Sequence, residues 1–381
     1  MSHGDQHQQR ASVPLGSRPL AAFLKTPAWA TVRADAPDTD VILSARARIA
    51  RNLAGFPFPP RASDRDLRRV AQEVRRAALA DNPRLAELHA IGIATLSARD
   101  RADLIDARRI SPELAEGGAH RYALLDDEGV LSIFVGEEDH VRIQALAAGN
   151  APHAALRSAE DAEERLAKRL SFARTDRWGF LTASLSNLGT GLRVSVLAHL
   201  PALAFLGRLP DTLTAAEHLD ISIRGAHGEG SAAVGDLYQI SNAVTYGLTA
   251  HQIAGRVHPV ADYLVKAERE ARAAVAADPE EAGRALRDAR EAWSRIEQAE
   301  RLEAATALEL VSRLRLAAAA GLALPGARSP APGGALFAEL VAELHTGAGL
   351  STRGDILATS VVRDAIQRPA KIRSALRPFF R

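Results

Sequence analysis

The chain of 381 residues contains no cysteine, which excludes a disulfide framework and any thiolate metal site. Lysine is almost absent too: Lys25, Lys168, Lys266 and Lys371 are the only four among 48 Lys and Arg residues. No apolar run approaches the ~18 residues needed to span a bilayer, and the opening "MSHGDQHQQR" lacks the apolar segment of a secretory signal. A cytoplasmic location is therefore expected. Charge of one sign is also lacking. The formal net charge is +2 despite a pI near 9.1, which argues against a broad nucleic-acid-binding surface and gives no membrane partner. There is no Gly-Lys-Ser/Thr phosphate loop, and the twelve histidines show no HExxH-like spacing, so no protein-held transition metal is expected.

What is present is a 47% hydrophobic, 25% charged chain, the balance of a globular protein with a sizeable core. Its cations are nearly all guanidinium forks, whose planar geometry matches phosphate. Residues 1–20 read as a disordered tail. From 21 to 258 short β-branched runs alternate with helical patterns. "DVILSARARIARN" (40–52) begins as a strand that puts Ser44, Arg46 and Arg48 on one face. "VLSIFV" (130–135), "RVSVLAHL" (193–200) and "LDISIRG" (219–225) read as further strands, with helices expected over 64–80 and 151–173. After His258-Pro259 the strand signal fades. Pro279 opens a helix with Asp278 as its N-cap, 325–334 is a Pro/Gly/Ser linker, and 335–345 is an amphipathic helix. The expected architecture is α+β: an antiparallel sheet flanked by helices over 21–258, then an all-helical C-terminal domain over 259–381.

Four segments carry candidate chemistry, and each has a plainer reading. "TASLSNLGTGLR" (182–193) holds Ser184, Gly189, Gly191 and Arg193; alone it reads as a structural turn. "VGEEDHVRIQ" (135–144) sets Glu137, Glu138 and Asp139 at a strand end before Arg142; alone it reads as a solvated turn. "SARAR" (44–48) is a basic strand edge or a binding strip. "IRGAHGEGSAAVGD" (223–236) carries Arg224, His227 and Glu229 and is either a surface loop or a site loop. Taken together, many arginines without a phosphate-loop lysine suit a clamped triphosphate. Two glutamates beside them suit a planar cationic acceptor, for which a guanidinium is the natural candidate. Phosphoryl transfer needs little more than positioning and neutralised charge.

These segments, with "LSARARIARNL", "HLPAL" (199–203) and "ERLEAATALELVSRLRL" (300–316) in the same order, resemble the guanidino (phosphagen) kinases, most nearly their bacterial protein-arginine kinase branch. The resemblance implies a guanidino kinase catalytic fold and in-line transfer from ATP to a guanidinium nitrogen. Arg46, Arg48, Arg142, Arg193 and Arg224 match the family's phosphate-holding arginines, with Ser44, Ser195 and His227 beside them. Glu138 matches the carboxylate that orients the acceptor and takes its proton, and Glu229 the second acceptor carboxylate. Magnesium would arrive with ATP. The implied partners are proteins with exposed arginines, with a Clp-type unfoldase and protease, an activator protein and a second copy of the chain as candidate associations. A kinase for a small free guanidine and a catalytically silent nucleotide- or phosphoarginine-binding scaffold stay open as alternatives.

The chain departs from the family's pattern in several places. Ser184 stands at the loop position of a cysteine, Leu185 at a proline, and Gly136 at an asparagine. Arg108 falls near a histidine that flanks the adenine. A serine is not an anion near neutral pH, so a slower enzyme is expected. "RDAIQR" (363–368) lacks the spacing of the family's phosphoarginine-reading signature.

Overall fold

The computed structural model describes residues 35–80, 83–106, 109–217, 220–225, 233–322 and 357–376. The expected tail, the 325–334 linker and the 335–345 helix lie outside them, as do Arg108, His227 and Glu229.

The strands are β1 (Ile42–Arg51), β2 (His89–Gly92), β3 (Tyr122–Leu125), β4 (Leu131–Val135), β5 (Val141–Ala148), the short pair β6 (Arg174–Thr175) and β7 (Gly179–Phe180), β8 (Leu192–His199), β9 (Ile221–Gly225) and β10 (Leu237–Asn242). Eight of them form one sheet in the order β2-β3-β4-β5-β1-β8-β10-β9, with every neighbouring pair antiparallel. The longer helices are α1 (Asp64–Leu79), α2 (Ala98–Asp106), α3 (Pro152–Ala167), α4 (Leu209–Glu217), α5 (Ala250–Ala277), α6 (Pro279–Gln298), α7 (Ala304–Ala319) and α8 (Leu357–Leu376).

Local signals place several of these boundaries. Ser63 and Asp66 form a reciprocal capping box at the start of α1. Asp278 caps α6 by accepting the amide of Glu280 at 2.8 Å. The helix expected over 151–173 stops at Ala167, because the chain then turns back to pair Phe172 with Leu53. Strands β2, β3, β5 and β10 carry no expectation from the sequence. The division expected at 258/259 falls inside α5, which runs through Pro259 without a break.

The two faces of the sheet differ, and period-2 alternation is the reason. One face offers Ala45, Ala47, Ile49, Ile143, Ala145, Val194, Val196 and Ile240, all buried in one cluster with α3 and α5. The other face is apolar at two places only. Ala123, Leu125 and Phe134 pack with Leu104 of α2. Leu146 and Leu237 pack with α6, α7 and α8. Between these two clusters lies a polar strip across the central strands, and the candidate site is built on it.

Candidate active site

Register dictates the composition of the strip. Arg46 stands opposite Ser195, and Arg48 opposite Arg193. On its other side β1 sets Arg48 opposite Gln144 and Ala50 opposite Arg142. Ser195 faces Ser241, and Gln239 faces Arg224. Directly paired residues share a face, so side chains as far apart in sequence as Arg46 and Ser241 converge without any loop having to carry them. They line a single cavity of about 1020 Å³, with Ser44, Arg46, Arg48, Arg142, Arg193, Ser195, Arg224 and Glu138 all in its wall. That is the size of a nucleotide-scale ligand site.

The sequence reading missed part of this wall: Ser111, Glu113, Glu116, Arg121, Gln144, Gln239 and Ser241. The signal for three of them was available. Gln144 sits two residues beyond Arg142, and Gln239 and Ser241 alternate in "LYQISN".

The electrostatics are lopsided. The Arg46 guanidinium, burial, and then Arg142 and Arg193 depress Arg48 well below the ordinary arginine range, against a smaller opposing pull from Glu137. Guanidinium groups stay protonated in proteins, so the depression reports concentrated positive potential in the wall rather than a neutral arginine. A polyanion entering the cavity would relieve it.

The acidic turn is not the solvated turn its composition suggested. Glu137, Asp139 and His140 are buried, and Glu138 alone has substantial exposure, at 42% of its side chain. The reason is distant partners that a local window does not contain. Glu137 pairs with Arg142 at 2.5 Å and accepts a hydrogen bond from Ser111 Oγ. Burial still pushes its carboxyl up, opposed by Arg142 and Ser111. Asp139 Oδ1 accepts from Asn52 Nδ2 at 2.6 Å and from the Ala183 amide at 2.7 Å. Gly136, with φ at +78°, occupies the left-handed region, where glycine is unstrained and asparagine is the next best tolerated. Glu138 is thus presented from a turn pinned on both sides, with Arg142 Nη2 at 3.4 Å.

The glycine loop is both a turn and a carrier. A side chain at Gly189 would meet the Thr245 carbonyl at 2.8 Å, and one at Gly191 the Ala50 carbonyl at 2.5 Å. Thr245 holds the loop with its hydroxyl, whose one proton is shared between the carbonyls of Ser186 and Leu188, and the loop delivers Arg193 into the cavity wall. Ser184 is not among the residues of that wall. Its hydroxyl lies 2.8 Å from Ser186 Oγ, on the segment that Ala183 fastens to Asp139.

Such a cavity can bind a polyphosphate through several guanidinium forks and present one carboxylate to a cationic acceptor. Among the described residues no group of three or more His, Asp or Glu is placed to hold a metal ion, and no described helix is long and apolar enough to cross a membrane.

Residues 69–271 match the family described as ATP:guanido phosphotransferase, C-terminal catalytic domain. The match begins after β1, so Arg46 and Arg48 lie outside it and their place in the site rests on the register of β1 and on the cavity they line. The protein-arginine kinase of Shouchella clausii is 37% identical over 254 residues, which cover 66% of this chain and 71% of that protein. The protein-arginine kinase of Halothermothrix orenii is 38% identical over 241 residues, covering 63% and 68%. Among solved structures, the substrate-free duplicated taurocyamine kinase from Schistosoma mansoni aligns with TM-score 0.52 and 27% identity over 61% of this chain, but over 35% of that longer chain. Lombricine kinase aligns with TM-score 0.56 at 22% identity over 67% of this chain and 71% of its own, a likeness of fold.

Proposed function

The chain belongs to the ATP:guanido phosphotransferase family, and from that membership we propose that it is an ATP-dependent kinase that phosphorylates arginine side chains of proteins. The observation that carries this reading is the convergence of Arg46, Arg48, Arg142, Arg193 and Arg224 with Glu138 around one cavity. The protein-arginine kinases it resembles support arginine in proteins as the acceptor.

In this reading the five guanidinium groups grip the triphosphate and neutralise charge on the γ-phosphoryl as it moves. Ser44 and Ser195 sit among them as further hydrogen-bond donors. An arginine acceptor is protonated at ordinary pH, so its nitrogen has no free lone pair. Glu138 holds the acceptor and takes a proton from the attacking nitrogen. The N–P bond forms as the bond between the γ-phosphorus and the bridging oxygen breaks, ADP leaves with that electron pair, and the proton stays on Glu138. Glu229 is assigned the second acceptor carboxylate, and His227 and Arg108 the nucleotide side, on the family pattern. Ser184, which lies outside the cavity wall, is assigned beside the acceptor on the family pattern, where it would offer a neutral hydrogen-bonding group in place of a thiolate's charge. Magnesium fits as an ion held by phosphate oxygens and water, where it would neutralise phosphate charge. The reading extends to a Clp-type unfoldase and protease that consume the marked proteins, to an activator protein, to a homodimer and to a cytoplasmic setting.

The test is incubation of the purified chain with Mg-ATP and either casein or free arginine, followed by mass spectrometry for acid-labile phosphoarginine. Label on casein arginines and none on the free amino acid is expected. Arg48→Met should lower kcat/KM by about 100-fold or more. It should also raise the melting temperature without nucleotide, because the repulsion among Arg46, Arg48, Arg142 and Arg193 is relieved. An unlabelled casein sample would remove the reading.

A further inference from the structure

Seven large apolar side chains are exposed among the described residues, and four of them, Trp178, Leu185, Val244 and Tyr246, fall on three neighbouring loops. The Trp178 and Tyr246 rings lie 5.6 Å apart. Tyr246 Oη donates to the Arg177 carbonyl at 3.1 Å. The hydroxyl of Thr245, between Val244 and Tyr246, shares its one proton between the carbonyls of Ser186 and Leu188, just before Gly189 of the glycine loop. The patch is therefore fixed in place before anything binds, so occupying it orders little chain on this side. Apolar groups clustered in this way on a protein surface mark contact sites, whereas single scattered ones do not.

Its position selects the occupant. Leu185, 84% exposed, follows Ala183 by two residues, and the Ala183 amide is bonded to Asp139, the residue next to Glu138. The half-exposed Glu138 carboxylate and the apolar patch thus sit on two segments clasped together. The matching ligand has a cation flanked by apolar groups on an extended backbone. The Arg177 guanidinium already rests 4.5 Å from the Trp178 ring centre, so the indole face accepts that kind of group. A free guanidine inside the cavity would gain nothing from side chains outside it, whereas a polypeptide would.

We propose that Trp178, Leu185, Val244 and Tyr246 form a docking surface for the segment of a protein substrate that flanks the arginine being phosphorylated. This deepens the kinase reading and rests on it. The surface engages extended chain, so unfolded proteins exposing apolar residues beside an arginine bind better than folded ones.

The test compares wild type, the double variant Trp178→Ser/Tyr246→Ser, and Leu185→Ser, whose exposed side chain makes loss of folding no concern. Each is assayed with Mg-ATP on unfolded casein and on a short Gly-Arg-Gly peptide. For both variants the expected result is a KM for casein raised at least about tenfold, with kcat, the KM for ATP and kcat/KM for the short peptide within about twofold of wild type. An unchanged casein KM in both variants overturns the proposal. So does a shift from dimer to monomer in sedimentation with casein kinetics intact, which would assign the patch to a second copy. Equal losses on casein and the short peptide also overturn it, since they would place the patch in the chemistry. A wild type that labels the peptide but not casein overturns this proposal and leaves guanidinium transfer standing. A wild type that labels neither removes both.

Discussion

At the scale of single residues, His140 shows how burial decides protonation. The Leu53 amide donates to its Nδ1 at 3.1 Å, so the proton sits on Nε2, which donates to the Pro57 carbonyl at 3.0 Å. Phe56 and Phe58 stand edge-on to the ring. Both nitrogens are satisfied only in the neutral form. Burial lowers the pKa to about 4, partly offset by the Pro57 bond. The folded pKa lies below the unfolded one of about 6.5, so the unfolded chain takes up the proton first. The stabilisation is complete above about pH 6.5 and is lost as pH falls toward 4. Between pH 7.5 and 5 this one group should remove about 2 kcal/mol of unfolding free energy, measurable by urea titration at the two pH values. An NMR titration should show the ring unprotonated down to pH 5; a midpoint near 6.5 would contradict the account. Because His140 follows Asp139 and Glu138, acid should loosen the turn that presents the candidate base.

At the scale of elements, helix α7 is tied to the sheet by one hydroxyl. Ser312 Oγ donates to Asp236 Oδ2 at 2.5 Å and has no second proton, so His199 Nε2 must donate to it, at 2.8 Å. His199 and Ser312 are fully buried and Asp236 partly so, and burial holds His199 neutral, with Arg315 and Arg272 adding to the effect. Ser312→Ala would strand the buried His199 donor and leave the partly buried Asp236 without its hydroxyl partner, a loss of about 2 kcal/mol. Ser294→Ala on the surface of α6, whose hydroxyl only accepts from Gln298, should change stability by less than about 0.5 kcal/mol. Equal effects in chemical denaturation would show the hydroxyl to be dispensable. Elements were also the scale most legible in the sequence. The alternation in "SARAR" correctly set Ser44, Arg46 and Arg48 on one face, and the same parity separates Arg51, which turns to Glu163 of α3 at 2.6 Å. The acidic triplet was misjudged because burial there depends on Asn52, Ser111 and Ala183, which no local window contains. Strand β5 was hidden for a related reason: Arg142 and Gln144 interrupt its apolar run on the face that forms the site.

At the scale of the whole molecule, the change of composition near residue 258 does not coincide with a change of core. Val260, Leu264, Val265 and Val275 lie beyond it on α5, yet all four are buried in the cluster beneath the sheet. At ~2 kcal/mol for each buried side chain they contribute about 8 kcal/mol, comparable with the ~5–15 kcal/mol that keeps an ordinary domain folded. The polar ties run the same way. Glu268 accepts the amides of Ala202 and Leu203, satisfying donors at the start of the short helix Pro201–Phe205, and Arg272 reaches back to Asp40 at 3.0 Å. A chain ending at His258 would expose the underside of β1, β8 and β10 and leave those amides unpaired. It should therefore lack a cooperative thermal transition and a dispersed amide NMR spectrum, whereas a chain ending at residue 322 should keep both. Cooperative melting of the shorter fragment would mean that the sheet and α3 hold the arginine strip in place by themselves, and that the helices after residue 258 serve something other than the fold of the site.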